Sequence, residues 1–173
     1  MREPVDRVLS RFWYPRSQPR DISALAATFD RMPTRRRLWR RRGKELSTSR
    51  QLEYSNAQSR RLLEPYYDVR SQLPISCGPP RDADLWRERI VAIADTYILL
   101  RNDRLDEDFA RLAAEWGWNV EQTERIRVNT CRPRYEDLPD GLRDRIRAFN
   151  WLDEELHRYA LDRLHADKEP TRT

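Results

Sequence analysis

Between Pro139 and Leu164 the apolar residues Leu142, Ile146, Phe149, Leu152, Leu156, Tyr159, Ala160 and Leu164 recur mostly at intervals of three and four. That period puts them on one face of a long amphipathic helix, with a bend expected near Phe149-Asn150. A stripe of this length has to be covered, so the helix must pack across the domain. It also carries the only two histidines, His157 and His165. Without a ligand set at metal spacing, His157 reads as a surface or partly packed residue rather than a base or a metal ligand.

The rest of the chain offers shorter helices. Val5, Val8, Leu9 and Phe12 follow Pro4 at helical spacing, and proline fits a first turn, where its missing N–H costs nothing. Pro15 and Pro19 break that pattern, Asp21 looks like the N-cap of a helix through Leu25 and Phe29, and Pro33 ends it. A helix of middling amphipathicity is expected from Leu52 to Leu63, and residues 65–81, rich in Pro, Gly and Ser, read as a loop. Asp82 or Asp84 should cap a helix from Leu85 to Ala94, with Trp86, Ile90, Ile93 and Ala94 inward. Thr96-Tyr97-Ile98-Leu99-Leu100 is the run with the clearest strand propensity, and its continuous apolarity suggests burial on both faces. A further helix should run from Asp103 or Asp106 to Trp116 and stop at Gly117, burying Leu105, Phe109, Leu112 and Ala113. The acids Asp106-Glu107-Asp108 at its start suit the helix dipole and need no catalytic role.

Charge is distributed unevenly. The net charge of +5 is the sum of +9 over residues 1–70 (17 Lys and Arg against 8 Asp and Glu) and −4 over residues 71–173 (17 against 21). Much of the excess lies in Arg35-Arg36-Arg37-Leu38-Trp39-Arg40-Arg41-Arg42-Gly43-Lys44. This stretch is either a solvated basic insertion, spanning about 31–50, or a patch for a polyanion through residues 31–44. No helix-turn-helix, zinc-finger or RNA-binding signature accompanies it, which makes nucleic acid an unlikely partner. The composition, 38% hydrophobic and 36% charged, allows one domain with a modest core. No apolar run reaches the ~18 residues of a membrane span, and the expectation is a soluble, unsecreted, cytoplasmic protein. Cys77 and Cys131 fit neither a disulfide framework nor a metal cluster.

The chemistry is concentrated at the start. Arg2 just precedes the helix begun by Pro4, and Arg7 and Ser10 lie on it three residues apart, close to one turn. A planar guanidinium fork, a hydroxyl and the free N–H groups of a helix start together suit an anion such as a phosphate monoester. Asn129, Thr130 and Arg132 form a second polar group within a loop from Ile126 to Pro133.

Arg2-Glu3-Pro4-x-x-Arg7-x-x-Ser10, followed by Phe12-Trp13-Tyr14, resembles the 3′-phosphate-binding motif of sulfotransferases that use 3′-phosphoadenosine 5′-phosphosulfate (PAPS). Further stretches are similar to the bacterial branch of that family related to the heparan sulfate 2-O-sulfotransferases, and in the same order. They are Asn56-Ala57-Gln58-Ser59-Arg60-Arg61-Leu62-Leu63, Tyr97-Ile98-Leu99-Leu100 leading through Asp103 to Leu105-Asp106-Glu107-Asp108-Phe109, and Asn129-Thr130-Cys131-Arg132-Pro133 with Leu152-Asp153-Glu154-Glu155-Leu156-His157-Arg158-Tyr159-Ala160.

The resemblance implies an α/β, P-loop-like sulfotransferase fold, incomplete and mostly helical as given, with one or two short strands. Residues 1–165 would be the C-terminal part of one sulfotransferase domain, and residues 166–173 a polar tail. It further implies PAPS as sulfuryl donor, no metal, and a glycan or other hydroxyl acceptor. Arg2 and Ser10 would bind the 3′-phosphate, with Arg7 bracing the motif and Thr130 and Arg132 as secondary contacts to the phosphate or adenosine. No residue matches the phosphosulfate-binding loop or the catalytic base, and only Met1 precedes Arg2. The implied alternatives are a truncated enzyme with little activity alone, a non-catalytic remnant, or a protein that docks a separate polypeptide supplying the other half.

Overall fold

The computed structural model describes residues 1–14, 21–32, 52–73, 75–100, 102, 104–119 and 132–166. The basic block 35–44, Asn129, Thr130, Cys131 and the tail 167–173 lie outside them. The described chain is mostly helical: α1 (Pro4–Trp13), α2 (Ile22–Asp30), α3 (Ala57–Leu63), the short α4 (Val69–Gln72), α5 (Ala83–Ala94), α6 (Leu105–Trp116), a 3-10 turn at Tyr135–Asp137, α7 (Asp140–Phe149) and α8 (Trp151–Ala166).

The ends of these helices follow from local chemistry. Pro4 opens α1, and Glu3 caps it by accepting the Asp6 N–H at 2.6 Å. Asp21 caps α2 through the Ala24 N–H at 2.7 Å. Gly117 ends α6 with φ 66°, a left-handed conformation that costs glycine little. At α5 the N-cap position belongs to Asp82, but its carboxylate accepts the indole N–H of Trp86 at 3.2 Å instead of a backbone N–H.

Two apolar clusters form the core. In the first, Val5, Val8, Leu9 and Phe12 of α1 meet Leu25 and Phe29 of α2 and Leu142, Ile146 and Phe149 of α7. In the second, Trp86, Ile90 and Ile93 of α5 meet Leu63, Val69, Leu73 and the Trp151, Leu152 and Leu156 face of α8. Each fully buried large side chain contributes about 1.5–3 kcal/mol. The long C-terminal stripe therefore serves both clusters, its first half one and its second half the other. At the changeover the helix is broken, not merely bent, because Asn150 leaves helical geometry (φ −116°, ψ 29°).

A polar seam occupies that break, and it is built by exchange of caps. Asn56, held at φ 48°, offers Oδ1 to the N–H groups of Leu152 and Asp153 at 2.8 and 3.2 Å, capping α8. Asp153 in return accepts the N–H groups of Gln58 and Ser59 at 3.1 and 2.7 Å, capping α3. Asn150 accepts the Asn56 N–H at 3.0 Å and donates to the carbonyls of Tyr54 and Ile146, while the Ser55 hydroxyl donates to the Phe149 carbonyl. The first free N–H groups of each helix are thus met by a side chain from the other.

Three expectations are corrected. Thr96–Leu100 is not a strand, and no strand occurs among the described residues. The N–H groups of Thr96 and Tyr97 are spent on the Ile93 and Ala94 carbonyls at the end of α5, and the Thr96 hydroxyl also donates to Ile93. Strand propensity is a preference for a pleated, half-buried surface; here Tyr97 and Ile98 are exposed and no neighbouring strand offers a ladder. Residues 65–81 are not all loop, because α4 forms within them, with Val69 and Leu73 buried beside it. Leu105, expected inside, is 41% exposed. No helix among the described residues is long and apolar enough to cross a membrane.

Candidate functional site

An open cavity of about 520 Å³ lies between the start of α1 and the outer face of α3. Arg2, Arg7 and Ser10 line it from one side, and Gln58 and Arg61 from the other. The spacing that placed Arg2, Arg7 and Ser10 together in sequence also brings them to one surface.

Arg2 is positioned by its own backbone. Its N–H donates to Gln58 Oε1 at 3.1 Å, and its carbonyl accepts from Gln58 Nε2 at 2.8 Å, a two-point clamp that fixes the residue against α3. Its guanidinium gives one bond to Asn102 Oδ1 at 3.2 Å and stands 3.4 Å from Asp6 Oδ2. Five N–H donors belong to a guanidinium, so donors remain for a ligand. The Ser10 side chain is partly buried on the same side of α1.

Arg7 points inward, into the polar seam. It donates to the Glu53 carbonyl at 2.9 Å and to Asn150 Oδ1 at 2.7 Å, and its Nε lies 3.4 Å from Asp153 Oδ2. Burial lowers its pKa, the Asp153 carboxylate opposes that, and the charges of Arg61 and Arg2 add to the lowering. Arg7 is thus tied to protein acceptors on several sides, and its work is to hold α1 against the junction of α7 and α8.

Arg60 is committed still more fully. It donates to the backbone carbonyls of Ser55, Val69 and Leu73 at 3.0, 2.9 and 2.9 Å. Desolvation pushes its pKa down to about 10, which leaves it charged at neutral pH. Arg11 forms a two-pronged pair with Glu53 at 2.6 and 3.1 Å at the cavity rim. Arg132 stands elsewhere, clamping Asp6 through its carboxylate at 2.5 Å and its carbonyl at 3.1 Å, and does not line the cavity. Thr130 lies outside the described residues.

What the arrangement can do is bind an anion. Five arginines (Arg2, Arg7, Arg11, Arg60 and Arg61) border the cavity against the carboxylates of Glu53 and Glu64. With low-dielectric walls, such an excess concentrates negative ligands. Among the described residues no group of His, Cys, Asp and Glu is placed to hold a metal ion. Sequence reasoning missed Arg61, Asn150 and the capping role of Asp153. The signal for the first was present: neighbouring residues on a helix point about 100° apart, so Arg60 and Arg61 cannot share one environment. Compared with family models, with curated proteins and with solved structures, the chain matches none.

Proposed function

We propose that this protein binds the 3′-phosphate of a PAPS-type nucleotide and belongs to a sulfotransferase system acting on a hydroxyl acceptor, a carbohydrate being the acceptor class the motif resemblance favours. The observation that carries this reading is the shared cavity: Arg2 and Ser10, the two residues the motif assigns to the phosphate, open onto the same space. Arg7, between them in sequence, also borders the cavity but spends its hydrogen bonds on the Glu53 carbonyl and Asn150, anchoring the helix that presents them. A guanidinium fork and a hydroxyl converging on one volume are the groups that hold a phosphate monoester by charge-assisted hydrogen bonds.

The α/β sulfotransferase architecture is part of the same proposal. It rests on the motif resemblance, since no strand occurs among the described residues. Bound PAPS would supply a sulfuryl group for in-line transfer to the acceptor oxygen. This chain's own residues bind and orient the nucleotide's 3′ end; none of them is assigned as the base.

The test is calorimetric titration of the protein with 3′-phosphoadenosine 5′-phosphate. Saturable binding that is abolished in an Arg2→Ala/Ser10→Ala double variant is expected. Equal binding by the double variant, or none by the folded native chain, would remove the reading.

A further inference from the structure

The cavity arginines divide by what already occupies them. Arg7 and Arg60 are held by buried carbonyls and side chains, although the Arg7 Nε makes no hydrogen bond, Arg11 is paired with Glu53, and Arg2 is held in part by Asn102 and Asp6. Arg61 differs. It is exposed, it lines the same cavity, and it makes no ion pair or hydrogen bond to any of the described residues. It nonetheless sits close enough to Arg7 for their charges to repel, as Arg2 does. Like charges collected at a cavity wall, one of them unpaired among the described residues, make a field that an anion relieves.

We infer that Arg61 is a direct anion-contacting residue of this cavity, an arm on α3 that faces Arg2 and Ser10 across it, and that its ligand is a phosphoryl oxyanion. The inference rests on the proposed phosphate site but assigns it a residue that the sequence motif does not contain. The helix enforces the division of labour. Arg60 and Arg61 are successive residues of α3, so the turn that drives Arg60 inward onto the Ser55, Val69 and Leu73 carbonyls swings Arg61 outward. The Gln58 clamp, one turn earlier on the same helix, then sets the distance between Arg61 and Arg2 through the backbone rather than through flexible side chains.

The experiment titrates the full chain with two probes, inorganic pyrophosphate and 3′-phosphoadenosine 5′-phosphate, in the native protein and in Arg61→Ala and Arg61→Lys. Pyrophosphate binding should weaken at least tenfold in Arg61→Ala and recover in part in Arg61→Lys, which keeps the charge and loses the fork. Thermal melting should be unchanged in both, because an exposed side chain with no partner among the described residues contributes little to stability. Pyrophosphate binding that is the same in Arg61→Ala and the native protein overturns the inference and leaves the nucleotide reading standing. Binding of pyrophosphate that depends on Arg61, with no binding of the nucleotide, supports the inference and overturns the nucleotide reading. Binding of neither probe overturns both.

Discussion

The polar seam and the arginine-lined cavity are made from the same two stretches of sequence, yet they use them in opposite ways. From α1 the hydrogen bonds of Arg7 run into the seam while Arg2 and Ser10 open onto the cavity; from the α3 segment Asn56, Ser59 and Arg60 bond inward, though Arg60 also borders the cavity with Arg7, and the side chains of Gln58 and Arg61 line the cavity. In the seam the charges are paired and the helix-start N–H groups capped by protein groups, leaving the Arg7 Nε, the Asn56 Nδ2 and the Ser59 hydroxyl without a hydrogen bond among the described residues. In the cavity the charges exceed their partners. The contrast teaches that an arginine-rich motif need not be a list of ligand contacts: half of its polar residues fix two helices to each other, and the helical turn presents the other half.

The largest effect is expected from emptying the seam. Asp153 is fully buried, accepts two helix N–H groups and faces Arg7. Asp153→Ala strands all three donors, and loss of one partner of a buried charged group costs about 3–5 kcal/mol. Chemical denaturation should show a loss of that size, a large share of the 5–15 kcal/mol total typical of a domain. A loss under about 1 kcal/mol would mean that water replaces the carboxylate and that the seam is not a closed network.

A smaller effect separates the seam's hydrogen bonds from its backbone geometry. Asn56→Ala removes the two-donor cap of α8 and puts a Cβ-bearing residue without a helpful side chain at φ 48°, for a combined loss of about 2–3 kcal/mol. Asn56→Gly should recover about 1 kcal/mol of it, since glycine adopts the left-handed conformation freely. If the two variants melt alike, the cap carries the whole effect.

How much of this was legible in the sequence differs between the two regions. The helices α1, α2, α5 and α6 and their caps at Asp21 and Gly117 were, because they depend on residues within one turn. The convergence of Arg2, Arg7 and Ser10 on one cavity was also local, being set by one helix. The seam was not, since its partners stand 94 to 97 residues apart and neither Asn56 nor Asp153 caps its own helix. The Thr96–Leu100 strand misled for the same reason. Its apolar run was real, but whether it pairs is decided by what lies beside it, and α5's last turn claims its first two N–H groups.

Within a single helical turn, two neighbouring acids meet opposite surroundings. Asp153 and Glu154 are neighbours at the start of α8; Asp153 is paired with Arg7 and two N–H groups in the seam, while Glu154 lies near Glu3, and each of these two glutamates has a buried Oε1 without a hydrogen-bond partner among the described residues. Partial desolvation raises the pKa of Glu154, the charge of Glu3 raises it further, Asp153 and Glu155 add to this, and Arg147, 3.8 Å away, offsets only part. A carboxyl group whose pKa is higher in the folded than in the unfolded chain favours folding most when it is protonated. That contribution is complete below the unfolded pKa of ~4.3 and is lost as pH rises through the higher folded value. At neutral pH the ionised side chain is therefore a net cost. Glu154→Gln should raise the melting temperature slightly at pH 7, and the gain should shrink towards zero as the pH falls below about 4. A lower melting temperature at pH 7 would show that the ion pair with Arg147 outweighs the repulsion from Glu3, and that the first turn of α8 is as well compensated at Glu154 as at Asp153.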